Sequence, residues 1–451
     1  MNNKSCWAMF LTETPALGAQ LPAKMKALVI GSRRFAMPAL LAAVGLTPAY
    51  AQTSPRLQPA PALLALAEQN APTEPISAAP VGWQLLDDHI YGAPGSDGLY
   101  HVAYSLVFTS EYFAPVTIKS IEVVDPDKGF QPTGKNLMLS INNENITDQV
   151  RLFSLPQTYD AANFSTQLGP GQAGLVYFDV TYPNAACVPA HLSHRVTTSV
   201  VSPTGQTETF TVIDDPIRVI RREPVVLSPP IRGNGWLNAN GCCRNLGAHR
   251  AAFNPINGKF WQSETFAIDF TEVNAQGIGH SGDGSQLDQY PYYGTDILAA
   301  KGGKVVEVVT DLPDQIPNQD PVGVTLETAA GNHVIIDMGN GQYALYAHLK
   351  PFSATVQVGD VVEDGQKIGQ LGNSGSSTGP HLHFQVMDRP SALKANGLPF
   401  IFNNFVLSGT VTESVQAAGN DFSAGTPLPI RAVGKPEQDT MPLALDIINT
   451  R

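Results

Sequence analysis

Cysteine is scarce, with four in 451 residues. So few in so long a chain exclude a disulfide-dense scaffold, whose small domains depend on several bridges. Runs of like charge are missing, and there is no basic stripe. The formal net charge is −12 and is spread along the chain. Nothing of that kind grips a phosphate backbone, so no nucleic-acid partner is expected. Past the N-terminal region no apolar run approaches the roughly 20 residues that cross a bilayer as a helix. No membrane span is therefore expected in the mature form.

Glycine (40) and proline (36) are plentiful. The apolar runs are short and rich in β-branched and aromatic residues, which favours an all-β protein with many turns. The length is enough for two or three domains.

The N-terminus carries "MKALVIGSRRFAMPALLAAVGLTPAYAQ", beginning at Met25. Lys26, Arg33 and Arg34 come before an apolar stretch from Phe35 to Leu46, and Ala49-Tyr50-Ala51 follows. This is the form of a signal peptide with cleavage after Ala51 and a start at Met25. Residues 1–51 are assigned to it, and a periplasmic or secreted product is expected. Export permits disulfides. Cys6 would be lost, leaving Cys187, Cys242 and Cys243, so at most one intrachain bridge and one spare thiol are expected. Cys187 with either of the others is easier than a strained Cys242–Cys243 bridge.

Residues 52–80 are rich in Pro, Ala, Ser and Gln and read as a flexible linker. Residues 81–225 show alternating runs such as "HVAYSLVFTS" and "AGLVYFDVTY", separated by turn residues. That spacing predicts an accessory domain, an antiparallel β-sandwich of immunoglobulin-like type. "EPVVLSPPIRGNGWLNANG" reads as a junction. Residues 231–405 again alternate in short strands, with Asn340-Gly341 signalling a type I′ hairpin. Residues 406–451 carry weaker strands and form a C-terminal extension without an assigned function.

Within "STGPHLHFQVMD", His381 and His383 stand one residue apart on an alternating run. On a strand, side chains at i and i+2 share a face, so both imidazoles aim at one point. His348 in "YALYAHLKP" and His249 in "GAHRAAFNP" are the other histidines of interest. His191 and His194 read as ordinary hydrogen-bonding residues, and His333 as pointing outward from a strand. A catalytic zinc site needs three converging protein ligands and one open position.

The stretch "GNHVIIDMGNGQYALYAHLKPFSATVQVGDVVEDGQKIGQLGNSGSSTGPHLHFQV" resembles the core of the lysostaphin/LytM-type zinc endopeptidases. It has in order Tyr346-x-His348-Leu349, Val358-Gly359-Asp360-x-Val362, Gly365-Gln366-x-Ile368-Gly369, the turn from Gly372 to Pro380, and His381-x-His383. The resemblance covers about residues 245–400. It implies a groove-shaped antiparallel β-sheet peptidase domain that binds Zn2+ and cuts peptide bonds in peptidoglycan.

The family's first motif, commonly His-x-Gly-x-Asp, departs here. Tyr292 stands in the His position if Asp296 is taken as its Asp. "GTDILAAKGGKVV" reads better as the family's next segment, which makes Asp296 structural. The resemblance then implies His249, Asp269 and His383 as metal ligands, with His348 and His381 as catalytic residues beside them. His280 and Asp296 are the rival ligands. The insert between Asp269 and Gly294 would shape the substrate groove.

Two other readings compete. A degenerate relative would keep the fold and bind wall or regulate a partner hydrolase. A carrier domain would need a modified Lys at a hairpin tip, and none is present. The N-terminal sandwich is expected to cover the groove as a latency domain or to target the enzyme.

Overall fold

The computed structural model describes residues 78–87, 89–136, 150–152, 165–243 and 248–451. The signal-peptide region and nearly all of the linker lie outside the described residues. No described helix is long and apolar enough to cross a membrane.

Two six-stranded sheets make up the first region. In one, Tyr100–Ser110 pairs antiparallel with Ala173–Tyr182 along most of its length. In the other, Val116–Asp125 pairs with His191–Val201. Tyr104, Leu106 and Phe108 from the first sheet meet Ile118, Val196 and Val200 from the second in one core. A sandwich follows, because each sheet has a buried apolar face to cover. Burial of each large side chain contributes about 1.5–3 kcal/mol.

The second region is built on a ten-stranded sheet. Its middle strands, in spatial order, are Asn332–Asp337, Tyr343–Leu349, Leu382–Met387, Ile268–Glu272 and Gly233–Asn238. Ala344, Tyr346, Leu382, Phe384 and Val386 turn one way into the main core. The alternate residues Leu345, Ala347, His383 and Gln385 line a cavity on the opposite face. Period-2 alternation thus gives one core face and one functional face. The turn around Asn340-Gly341 has φ of 55° and 67° at these two residues, as a type I′ turn requires.

The expected junction carries strands of its own: Val225–Leu227 pairs in parallel with Phe400–Phe402, and Gly233–Asn238 enters the large sheet. Two expectations need correction. The C-terminal segment is not an appendage beginning at residue 406. Asp446–Thr450 pairs with both Gly233–Asn238 and Phe405–Val411, so the same sheet continues through it. Of its three strands, Ile430–Glu437 is largely exposed, while Phe405–Val411 and Asp446–Thr450 are mostly buried. Finally, Cys242 and Cys243 are bridged to each other. Cys187 is bonded to neither, and no described cysteine is a free thiol.

Candidate metal centre

Register brings the first two residues together. Asp269 on Ile268–Glu272 lies directly opposite His383 on Leu382–Met387. Directly opposed side chains share a face about 4.5–5.5 Å apart at Cβ. The Nδ1 of His383 is 2.9 Å from Asp269 Oδ1. His249 arrives from the short helix Ala248–Ala251, with Nε2 3.1 Å from Asp269 Oδ2. His381 holds its Nε2 3.4 Å from Asp269 Oδ1. The His348 ring is 4.6 Å from that of His381 and 5.7 Å from that of His383, between centroids. All five residues assigned from the sequence therefore line one cavity of about 620 Å³.

His348 reaches this face by a backbone irregularity. Its neighbour Ala347 pairs with His383, so regular alternation would point His348 into the core. Instead the register slips between Asn332 and Val334 on the adjoining strand, and His348 takes φ 59°. A bulge of this kind re-aims a side chain, and a non-glycine residue in the left-handed region marks a functional constraint.

The hydrogen bonds fix which nitrogen of each ring is free. His249 Nδ1 donates to Ala267 O at 3.1 Å. His381 Nδ1 donates to Gly379 O at 2.8 Å, and His348 Nδ1 to Ser374 O at 2.8 Å. His383 Nε2 donates to Gln385 Oε1 at 2.9 Å. The Gln385 amide is oriented by donating to Ala392 O at 3.3 Å. In the neutral rings the remaining nitrogens are lone pairs. Those of His249, His381 and His383 all face the Asp269 carboxylate, which is itself an acceptor. Protons taken up by the rings, or a bound cation, would satisfy such a set. The atoms of His249, Asp269 and His383 lie within 4.8 Å of one another, and three such donors fit zinc. Outer partners that fix each ring are a usual feature of metal-binding histidines.

Electrostatics agree with this geometry. Burial would raise the Asp269 carboxyl, but the charges of His249 and His381, with hydrogen bonds from His249 and His383, hold it well below the usual range. Burial, then the nearby His381 and His383, keep the His348 imidazole well below its ordinary value. His381 is lowered by burial, against the pull of Asp269. His383 is opposed by burial yet raised to about 9 by Asp269, showing how strongly the carboxylate draws positive charge there.

The rival residues lie elsewhere. Asp296 is exposed and paired with Lys367 at 2.5 Å. His280 bonds Ser281 O and Ser423 O, bracing the 273–290 loop against the helix Val415–Ser423. His333, expected to point outward, is buried beside Glu307 at 3.4 Å, because the bulge on the next strand displaces the local register. Tyr290 of the insert and Phe422 of the C-terminal helix both line the cavity.

Sequence reasoning missed two polar partners. Gln385 continues the His381, His383 alternation, so extending that pattern by one step finds it. Asn240, whose Nδ2 donates to Asp269 Oδ2 at 2.8 Å, has no local signal.

A polar cluster of histidines and one carboxylate thus stands on the open face of an antiparallel sheet, in an arrangement that could hold a metal ion. Residues 284–395 match the model of peptidase family M23. The matched segment includes His348, His381 and His383, and begins after His249 and Asp269. The chain is 47% identical over 70 residues to the peptidoglycan DD-endopeptidase ShyA of Vibrio cholerae, covering 15% of this chain and 16% of that protein. It is 49% identical over 56 residues to the DD-carboxypeptidase/endopeptidase Mpg of Neisseria meningitidis, covering 12% of each. It is 36% identical over 102 residues to the glycyl-glycine endopeptidase ALE-1 of Staphylococcus capitis, covering 22% of this chain and 24% of that one. The similarity thus spans less than a quarter of this chain and at most about a quarter of these three relatives. The lysostaphin/LytM-type resemblance read from the sequence is borne out.

Proposed function

We propose that this protein is an exported zinc endopeptidase that hydrolyses peptide bonds in peptidoglycan. The observation that carries the reading is the convergence of three imidazole lone pairs on the Asp269 carboxylate. His249 Nε2, an Asp269 oxygen and His383 Nδ1 would hold the ion. When bound, zinc supplies Lewis acidity, which acidifies water and polarises a carbonyl.

The chain's own residues supply the rest. Ser374 O and Gly379 O anchor the Nδ1 protons of His348 and His381, leaving each Nε2 toward the cavity. One ring takes a proton from the attacking water and delivers it to the leaving nitrogen. The other takes a proton from solvent at Nε2, donates it in a hydrogen bond to the oxyanion of the tetrahedral intermediate, and returns it to solvent as the intermediate collapses. Water oxygen bonds to the carbonyl carbon, the C–N bond breaks, and an acid and an amine result. Tyr290, Leu326 and Phe422 along the cavity offer apolar walls to a peptide. The wall substrate is inferred from what the relatives' names state. Export rests on the N-terminal sequence pattern.

The test measures zinc per chain by mass spectrometry and peptides released from purified peptidoglycan. One zinc and new amine termini are expected. Neither zinc nor cleavage would leave the non-catalytic reading, which gains its support from the family match beginning only at residue 284.

A further inference from the structure

The residue after His249 is Arg250, whose side chain is fully buried. It does not serve the cleft. Its Nη2 donates to Tyr104 O at 3.1 Å and to Phe178 O at 2.9 Å. These carbonyls belong to register partners on two neighbouring strands of the sandwich. The guanidinium also sits 5.7 Å from the Tyr177 ring centroid. Burial lowers its proton affinity to about 10, with Asp179 and Tyr177 acting the other way, so it stays charged near neutrality. Three residues on, Phe253 joins a small apolar cluster with Val107, Leu175 and Tyr177 of the sandwich.

A buried cation with so few partners is expensive: burying an unpaired charge costs several kcal/mol. Its Nε and Nη1 have no hydrogen-bond partner among the described residues. A leucine or methionine would fasten two domains with less penalty. What the guanidinium adds is direction, since its Nη2, donating to two fixed carbonyls at once, orients the side chain and so the turn that carries it. That backbone is a single helical turn, too short to be stable alone. On the cleft side, His249 is tied to the peptidase region by its Nδ1 bond to Ala267 O and its Nε2 contact with Asp269.

We infer that Arg250 is a positioning residue and that the sandwich is a structural part of the metal centre, because it seats the helix that presents His249. The inference rests on the reading of His249 as a metal ligand. It assigns the sandwich a role different from latency or wall targeting. The other metal-site residues lie on strands of the large sheet or beside them. His249 alone comes from a segment whose seat is the sandwich.

The test uses the full chain with Arg250→Met and Arg250→Lys, and reads zinc affinity by chelator competition together with the visible spectrum of the cobalt-substituted protein. Arg250→Met roughly keeps volume and removes the Nη2 donor to both carbonyls. It should weaken zinc by about 10–100-fold, the range for outer partners of metal ligands, and give the cobalt spectrum of His249→Ala. Arg250→Lys should fall between Arg250→Met and wild type. Ser96→Ala is the control, because Ser96 joins the sandwich to Asp446 far along the chain from Arg250. It should leave zinc affinity and the cobalt spectrum at wild-type values. Arg250→Met with a lowered melting temperature but unchanged zinc affinity and spectrum would overturn the inference, leaving Arg250 as a domain fastener. Equal weakening by Ser96→Ala and Arg250→Met would overturn it as well. If His249→Ala itself keeps wild-type zinc affinity, the ligand assignment fails, and with it the basis for the inference.

Discussion

In the sandwich, His101 places Nδ1 2.9 Å from Asp179 and Nε2 3.2 Å from Asp97. His194 places Nδ1 2.8 Å from Asp214 and Nε2 2.8 Å from Tyr104 Oη. Both nitrogens of each ring are closed by dedicated partners. In the cleft, each ring has one nitrogen fixed by an oxygen acceptor, and three of the free nitrogens share one carboxylate. His101 and His194 are buried, and so are His249, His348 and His383 of the cleft, with His381 partly exposed. Burial therefore does not separate a structural histidine from a functional one; the count of acceptors per proton does. The sandwich sites are complete with the protons they hold, whereas the cleft offers one carboxylate shared among several ring nitrogens, an arrangement suited to a cation.

The sharpest way to break this comparison is to remove the carboxylate on each side. Asp269→Ala should abolish zinc binding, read as metal per chain, because all three lone pairs then lose their anionic partner. Asp214→Ala should cost the sandwich a few kcal/mol through the loss of its bonds to Trp83 and His194, while metal is retained. Asp296→Ala should also keep its metal, since its partner is Lys367. Loss of zinc in Asp296→Ala with retention in Asp269→Ala would reverse the ligand assignment.

His348→Ala should lower kcat by about 100- to 10,000-fold, the usual contribution of a positioned acid or base, with zinc content unchanged. Gln385→Leu takes the acceptor from His383 Nε2 and frees the ring to rotate. A drop of about 10–100-fold in zinc affinity is expected by chelator titration, at near-normal fold.

The smallest effect concerns the closed pair in the sandwich. Burial opposes a proton on His101, but Asp179 first and Asp97 next raise its value to about 10 from 6.5. Its folded value exceeds the unfolded one, so the stabilisation is fully present below about pH 6.5 and is lost as pH rises through about 10. Denaturant unfolding should show on the order of 2 kcal/mol lost between pH 7 and 9, and His101→Gln should flatten that slope. A steep slope that persists in His101→Gln would assign the dependence to another group.

Much of this was legible in the chain itself. The alternation around His381 and His383 placed both rings on one face, and Asn340-Gly341 named its turn. The five site residues could be chosen from motif order, although the family's usual first motif is interrupted. Other features were not legible, for a shared reason. Asn240, Arg250 and the C-terminal strands act on residues far away in sequence, and no local period encodes them. The vicinal Cys242–Cys243 bridge was set aside for a longer-range pairing, a choice that local geometry alone could not make.

Strand periodicity is a local property, with side chains alternating every residue, and the sequence alone determined it. It was enough to settle the all-β class, the paired direction of His381 and His383, and the chemistry available on that face. Register is a pairing between distant segments, and only the tertiary structure decided it. Register set Asp269 against His383, and a slip in register turned His348 from the core to the cleft. Docking is likewise non-local, and it brought His249 to the same carboxylate on a helix seated by Arg250.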